Sequence, residues 1–297
     1  MPDPRVGPDD ELITVTAVGV NFADTHQSDG SYLTTADPPF VPGSEVVGVT
    51  GSGRRVLALL TDAGGYAELV AAPRSALVEV PEEVTDAQAL ALGVQGLTAW
   101  HVLHSIVRLR RGESVVVNAA AGGVGSLAVQ LAGYLGAGWV IGTASTRAKR
   151  DLALDLGADA VVDSRPDQYA TRIVEANGGK RVDAVLDATG RAVFKAAMST
   201  LAPFGRLVTF GYASRQIPAS ISAGELIRGV ISVSGFWLTP LVGSPDGHHE
   251  PLSNLLALTA KGELTPVVGA QYPLADARRA HEDLLARRTI GKLILVP

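Results

Sequence analysis

The residues best suited to chemistry stand between Glu113 and Gly136, in ESVVVNAAAGGVGSLAVQLAGYLG. Ser114 to Asn118 is a short β-branched run, which predicts a strand buried on both faces. Ala120-Ala121-Gly122-Gly123-Val124-Gly125 follows, and apolar residues then recur at helical spacing in Leu127, Val129, Leu131 and Leu135. Strand, glycine loop and helix in that order predict the opening unit of a dinucleotide-binding βαβ fold. Glycines suit that chemistry because backbone N–H groups must approach a pyrophosphate closely. The helix N-terminus would meet the negative charge with free amides and its partial positive dipole.

The end of the next strand bears on which dinucleotide is bound. An acidic residue about 20 positions beyond the glycines would bind the ribose 2′-hydroxyl of NAD. Gly142-Thr143-Ala144-Ser145-Thr146-Arg147-Ala148-Lys149-Arg150 has no carboxylate before Asp151, and three cations sit beside a serine and a threonine. Positive charge with hydroxyl donors fits a 2′-phosphate, so NADPH is the expected cofactor. Cations in a first helical turn oppose the dipole, which also calls for a compensating anion.

Other chemistries have less to stand on. The chain has no cysteine, so disulfides and zinc–thiolate sites are excluded and no metal is expected. His248-His249-Glu250 is the one His/acid cluster, and its Gly/Pro surroundings offer no spacing that would converge ligands. His101 and His104 share a helical face and read as packing or surface residues. No Gly-x-Ser-x-Gly elbow supports hydrolysis. A net charge of −5 with no basic tract argues against a nucleic-acid partner. No apolar run reaches membrane-spanning length and no signal segment opens the chain, so a cytoplasmic protein is expected.

The elements that must position these groups fall into two kinds. A length of 297 residues allows two domains. After a polar lead-in, Met1 to Asp10, the first part predicts short strands at Leu12–Val20, Glu45–Thr50, Arg55–Leu60 and Tyr66–Ala71, with a short helix within Asn21–Tyr32. A helix is expected from Asp86 to Leu109, capped by Thr85 or Asp86. Strands then alternate with helices at Ser114–Asn118, Trp139–Ala144, Ala160–Asp163, Val182–Asp187, Arg206–Gly211 and Val230–Phe236. Six strands in βαβ order predict a doubly wound parallel sheet of the Rossmann type. Thr239 to Pro251 reads as a loop and Asn254–Lys261 as a helix. Pro266–Tyr272, a helix around Ala275–Arg287 and the strand Lys292–Val296 lack the βαβ rhythm. They are assigned to the first domain, which makes it discontinuous: 1–93 with 263–297, around a second domain at 94–262.

Six collinear pieces carry a family resemblance: Gly19-Val20-Asn21-Phe22-Ala23-Asp24, Val41-Pro42-Gly43-Ser44-Glu45, Gly64-Gly65-Tyr66-Ala67-Glu68, Gln95-Gly96-Leu97-Thr98-Ala99, Ala121-Gly122-Gly123-Val124-Gly125 and Gly291-Lys292-Leu293. With them the chain resembles the zinc-free medium-chain dehydrogenase/reductases of the quinone oxidoreductase type. The resemblance implies a GroES-like catalytic domain, a Rossmann domain, a cleft between them and a homodimer. It places Asn21 and Asp24 in the active cleft, with His26 in the same segment. His26 has two readings: substrate orientation or proton donation, and a solvated loop histidine. Tyr32 aligns with a tyrosine that enoyl reductases of this family use near the substrate carbonyl, where a phenol would bond the developing enolate oxygen or supply a proton. Its alternative is a turn-packing aromatic.

For the cofactor, the resemblance points to Thr98 near the nicotinamide, to Ala121, Gly122, Gly123, Val124 and Gly125 at the pyrophosphate, and to Lys149 at the 2′-phosphate. Lys292 is a further cofactor candidate within the last matching piece. Ser145 is a second phosphate contact, and Arg165 stands where a tyrosine often joins that site. Gly190, Gly211 and Phe236 follow the fourth, fifth and sixth strands, at the carboxyl ends where a doubly wound sheet binds its ligand.

Two departures fall in the first domain. Family chains begin with one or two more strands, so the edge of the strand at Leu12–Val20 is expected to be bare unless another segment covers it. Arg54-Arg55 also replaces the usual Gly-Asp before Arg-Val. The expected activity is NADPH-dependent reduction of a small quinone or α,β-unsaturated carbonyl substrate, by a homodimer joined through Ile231–Phe236. An enoyl-thioester reductase is the alternative within the enzymes, and a non-catalytic NADPH-binding sensor or interaction protein the alternative outside them.

Overall fold

The computed structural model describes residues 3–33, 38–211, 213–216 and 220–297. Met1 and Pro2 of the lead-in lie outside them. The chain divides into two compact units, 1–97 with 238–297 and 98–237.

The first unit opens with β1 (Asp10–Val20), whose early residues alternate between core and solvent and whose last four are all buried. After α1 (Phe22–Ser28) come β2 (Glu45–Thr50), β3 (Arg55–Leu59), β4 (Leu69–Pro73) and β5 (Leu77–Glu79). Strand β5, at three residues, is too short to show a period in the sequence. The expected helix over 86–109 is not continuous. It runs as α2 (Asp86–Leu90), a π-turn at Ala91–Gly96, α3 (Leu97–His101) and a second π-turn at Val102–Ile106. Thr85 caps its start by accepting from the Gln88 N–H at 3.3 Å. Arg55 ties β3 to that start through the Val84 carbonyl at 2.8 Å and Asp86 at 3.3 Å, and Arg54 pairs with Glu11 at 2.6 Å. Both unusual arginines thus have partners within the unit.

The second unit alternates without exception: β6 (Ser114–Val117), α4 (Gly123–Tyr134), β7 (Trp139–Ala144), α5 (Arg147–Asp155), β8 (Ala160–Asp163), α6 (Tyr169–Ala176), β9 (Val182–Asp187), α7 (Arg191–Met198), β10 (Leu201–Thr209), α8 (Ala223–Gly229) and β11 (Ser232–Gly235). All pairings are parallel, in the order β11-β10-β9-β6-β7-β8. That is the doubly wound order, reversing direction on either side of β6 and β9. Val116, Ile141, Val185 and Leu207 from the strands pack with Ile173 and Phe194 from the helices. Strand β10 begins earlier than expected, because a register break between Leu201 and Arg206 interrupts its apolar pattern.

The chain then returns to the first unit with α9 (Glu250–Ala260), β12 (Val268–Pro273), α10 (Ala277–Leu285) and β13 (Lys292–Val296). The compact unit resumes at 238, whereas the sequence expectation places the return at 263. Helix α9 packs on the π-turn at Ala91–Gly96, where a Cβ on Gly96 would touch Leu255 at 3.4 Å. His249 Nε2 also meets the Ser75 carbonyl at 2.6 Å. The supposed loop before α9 holds two helical turns, Thr239–Leu241 and Pro245–His249.

The first unit's sheet runs β12-β13-β1-β2-β3-β5, with β4 also on β1. The bare edge expected on β1 is absent. Strand β4 covers Asp10–Thr14, β13 covers Val18–Val20, and the Val15 N–H between them donates to the Glu68 carbonyl at 2.9 Å.

Candidate functional site

In the second unit the glycine loop has the geometry of an anion cradle. Ala119 takes a left-handed conformation (φ 52°) and the chain turns into α4, whose N-cap, Gly122, supplies no side-chain cap. The first-turn amides of this 12-residue helix therefore need an acceptor from elsewhere. A Cβ on Gly125 would lie 2.2 Å from the Ala119 carbonyl oxygen, so only glycine allows the loop to pass so close to the helix. At Gly122 the same test gives 3.2 Å. The residues present fit a dinucleotide pyrophosphate.

Beneath this loop lies a buried polar hub. Asn118 Nδ2 donates to Asp187 Oδ1 at 3.0 Å, and Asn118 Oδ1 accepts from Thr143 Oγ1 at 2.9 Å and from the Tyr169 hydroxyl at 2.8 Å. Asp187 accepts further from the N–H groups of Thr189 at 3.1 Å and Gly190 at 3.3 Å. Burial raises the Asp187 carboxyl above its ordinary value, against those hydrogen bonds. The hub joins the ends of β6, β7 and β9, and it fixes Gly190, whose φ of 97° suits glycine. Gly211 is less constrained, since a Cβ there would meet Ala188 at an ordinary 3.7 Å. Phe236 stacks on His101 at 5.6 Å, and Thr98 is buried one turn earlier on the same helix.

The cationic turn sits at the start of α5. Thr146 caps the helix by accepting from the Lys149 N–H at 3.3 Å, and no acidic residue occupies the first turn. Ser145 is exposed and Lys149 half-buried. Arg150 is engaged by the Ala144 carbonyl at 3.0 Å and by Asp163 at 3.6 Å. Arg165 also pairs with Asp163, at 3.2 Å, with a largely exposed side chain. The turn fits a 2′-phosphate, and Ser145, Lys149 and Arg165 are the candidates for holding one.

In the first unit the matching pieces converge on a buried ion pair. Lys292 and Glu45 are both fully buried and bonded to each other. Lys292 Nζ also donates to Asn21 Oδ1 at 2.9 Å, and Asn21 Nδ2 donates to Glu45 Oε1 at 2.7 Å. The second Glu45 oxygen accepts from the Val94 N–H at 2.8 Å, an amide that the first π-turn turns toward it. Gln95 Nε2 approaches Asn21 Oδ1 at 3.4 Å. Two glycines make room for the carboxylate: a Cβ on Gly19 would lie 2.5 Å from Glu45 Oε1, and one on Gly93 2.2 Å from Oε2.

This arrangement redistributes the roles expected of the site residues. Lys292 spends its ammonium inside the unit on Glu45 and Asn21, a geometry that does not suit the cofactor contact expected of it. Asp24 is fully buried, which does not suit direct substrate contact. Its Oδ2 accepts from the Asn21 N–H at 2.8 Å and the Tyr66 hydroxyl at 3.1 Å. Burial pushes the Asp24 carboxyl up to about 6. His26 is not a solvated loop residue. It is buried in the last turn of α1 and bonded through Nδ1 to Ser31 Oγ at 2.7 Å, so it anchors the segment carrying the half-buried Tyr32.

His248-His249-Glu250 does not converge on a point. Buried His248 accepts from the Gly243 N–H at 3.1 Å, and burial lowers its pKa to about 4, while His249 turns to Ser75. Among the described residues no group of three acidic or histidine side chains is placed to hold a metal ion. Sequence reasoning missed Glu45, Gln95, Asn118, Tyr66 and Asp187 as site-building residues. The apolar strand context around Glu45 was a signal for it, because a lone carboxylate there demands a buried partner.

Residues 7–82 match the family model described as an alcohol dehydrogenase GroES-like domain, and residues 123–246 match the one described as a zinc-binding dehydrogenase. A quinone oxidoreductase of Pseudomonas aeruginosa is 33% identical over 302 residues, spanning 98% of this chain and 92% of that protein. Two solved structures are also similar. A mycobacterial protein in complex with NADPH has a TM-score of 0.93 at 38% identity, and the quinone oxidoreductase of Thermus thermophilus, also solved with NADPH, has 0.89 at 39%. Each covers 100% of this chain and 94% of its own. The collinear motifs, the discontinuous two-unit fold and these relatives agree, and the chain belongs to the quinone oxidoreductase family of the medium-chain dehydrogenase/reductases.

Proposed function

We propose that this protein reduces a quinone or an α,β-unsaturated carbonyl compound with NADPH, without a metal ion. The observation that carries the reading is the uncapped glycine-loop helix followed by an acid-free cationic turn, a pair suited to a pyrophosphate and a 2′-phosphate. NADPH supplies the hydride when bound. The chain supplies placement and electrostatics. The α4 amides hold the pyrophosphate, Ser145, Lys149 and Arg165 the 2′-phosphate, and Thr98, Gly190, Gly211 and Phe236 shape the nicotinamide end. In the first unit Asn21 and Tyr32 stabilise oxygen as it gains negative charge, and His26 steadies the Tyr32 segment. Tethering of that segment also supports the enoyl-thioester variant of the same chemistry.

A homodimer through β11 is part of the proposal. Its support is the edge of β11, unpaired among the described residues, with exposed Phe204, Ile227 and Val230 and a groove of about 830 Å³ whose lining mixes Met198, Leu201 and Ile231 with Arg181, Lys195 and Glu225. Sedimentation at micromolar concentration is expected to give twice the chain mass. We place the activity in the cytoplasm, where NADPH is kept reduced.

The direct test follows absorbance loss from NADPH with a panel of quinones and enones, with NADH in parallel. Turnover with NADPH preferred is the expected result. Tight NADPH binding with no acceptor turned over would return the chain to the non-catalytic alternative.

A further inference from the structure

Three side chains from distant parts of the first unit form one hydrogen-bonded line behind α1. The Tyr66 hydroxyl lies 3.1 Å from Asp24 Oδ2 and 2.8 Å from His281 Nε2, and the Tyr66 and His281 rings meet edge to face at 5.7 Å. Gly43 makes the line possible, since a Cβ there would lie 2.5 Å from the Tyr66 ring. A phenol carries one hydrogen and can donate it to only one neighbour at a time. With Asp24 ionised the hydrogen points to Asp24, and His281 Nε2–H donates to the phenol oxygen. With Asp24 protonated the direction reverses.

We infer that Tyr66 and His281 are positioning residues that pass a proton to and from Asp24 and so set the hold on Asn21. The inference rests on the proposed reductase reading only where it concerns turnover. The transfer balances: imidazolium at His281 gives its Nε2 proton to the phenol oxygen, and the phenol gives its own hydrogen to Asp24 Oδ2. Neutral imidazole, intact phenol and a neutral carboxyl remain. Burial lowers the proton affinity of His281 and raises that of Asp24, so both environments favour the proton on Asp24. The other groups facing Asp24 are Lys292 and Glu45, which oppose each other, and Ser44 Oγ at 3.4 Å from Oδ1.

The consequence falls on Asn21. Asp24 Oδ2 accepts the Asn21 N–H, and a neutral carboxyl accepts more weakly than a carboxylate. Asn21 meanwhile sends its own side chain into the Glu45–Lys292 pair. Protonation therefore loosens one of two fixings on the residue proposed to meet the substrate oxygen.

The test is carbon-detected NMR of the ligand-free protein with labelled aspartate and histidine, in the wild type and in Tyr66→Phe. Expected are an Asp24 carboxyl that titrates near pH 6, a His281 signal that moves at the same pH, and loss of that joint movement in Tyr66→Phe. The Asp24 midpoint in the variant is expected to rise by about one pH unit, because a hydrogen bond to the charged form is gone. Turnover supplies the second reading. The pH profile of kcat is expected to show a step near 6 that moves upward in Tyr66→Phe and stays in place in His281→Gln, which still donates to the phenol. Independent titration of Asp24 and His281 in the wild type would overturn the inference, as would a kcat profile indifferent to Tyr66→Phe. Absence of turnover with every acceptor would defeat the reductase reading alone, because the NMR titration still decides the relay.

Discussion

Each unit buries a polar cluster, and the two are built on opposite principles. In the first unit a lysine and a glutamate, both fully buried, face each other with Asn21 between them. In the second a single buried carboxylate, Asp187, is held by neutral donors: the Asn118 amide and the amides of Thr189 and Gly190. Full charges in a dry interior interact strongly but carry a heavy desolvation cost, and they tolerate little error in geometry. A hydrogen-bonded hub costs less and holds backbone directly. The difference matches the two tasks. The hub fixes strand ends and a loop proposed to lie beside the nucleotide, whereas the ion pair fixes one side chain, Asn21, proposed to meet a changing charge.

The sharpest way to break the comparison is to leave one charge alone. Lys292→Met strands Glu45 and is expected to destabilise the first unit by about 3–5 kcal/mol. Adding Glu45→Leu removes the stranded charge and restores most of that loss. Hydrogen exchange at the β1, β2 and β13 amides reads the effect where it occurs. Equal damage from the single and double variants would mean that the charges contribute packing alone.

Proton linkage gives the next largest effect. The His248 pKa is lowered from 6.5 to about 4, so its contribution to stability is complete above pH 6.5 and is lost as pH falls toward 4. Asp24 is raised from 3.8 to about 6, so its contribution is complete below 3.8 and is lost as pH rises through 6. Both lie in the first unit, and their windows overlap with opposite signs. Asp24→Asn, which keeps an acceptor for the Asn21 N–H, is expected to expose the His248 loss, about 3 kcal/mol between pH 6.5 and 4. Denaturant midpoints across that range check it. The same pH dependence in wild type and variant would place the Asp24 titration elsewhere.

Local patterns carried much of the architecture and little of the site's interior. Glycine, β-branched and helical spacing from Ser114 to Phe236 announced the Rossmann order, since each βαβ step is a local event. Lys292 and Glu45 lie far apart in the chain and meet only because β13 and β2 both pair with β1. No spacing rule links them. Spacing alone therefore points Lys292 to the cofactor and Asp24 to the cleft, and it foretells neither the Lys292–Glu45 pairing nor the burial of Asp24. The broken helix at 86–106 shows the same limit. Its apolar face predicts helix, but the π-turn that presents the Val94 amide to Glu45 depends on a partner from another element. The segment 238–262 likewise follows the last Rossmann strand in sequence but packs with the first unit.

A smaller effect sharpens the nucleotide half. Lys149→Ala is expected to weaken NADPH binding about tenfold and to leave NADH binding unchanged, the difference being one charge-assisted contact to the 2′-phosphate. Fluorescence titration with both cofactors measures it. Equal weakening of the two would move Lys149 away from the phosphate.

The contrast between the clusters is tested most directly by measuring the NADPH dissociation constant and kcat side by side in Asn21→Ala and Asn118→Ala. Asn21→Ala is expected to lower kcat about 10²-fold, the size of losing one oxyanion donor, while NADPH binds as in the wild type. Asn118→Ala is expected to weaken NADPH binding, with kcat at saturating cofactor closer to normal. The reverse pattern, or two variants alike in both quantities, would contradict the division of labour between the ion pair and the hub.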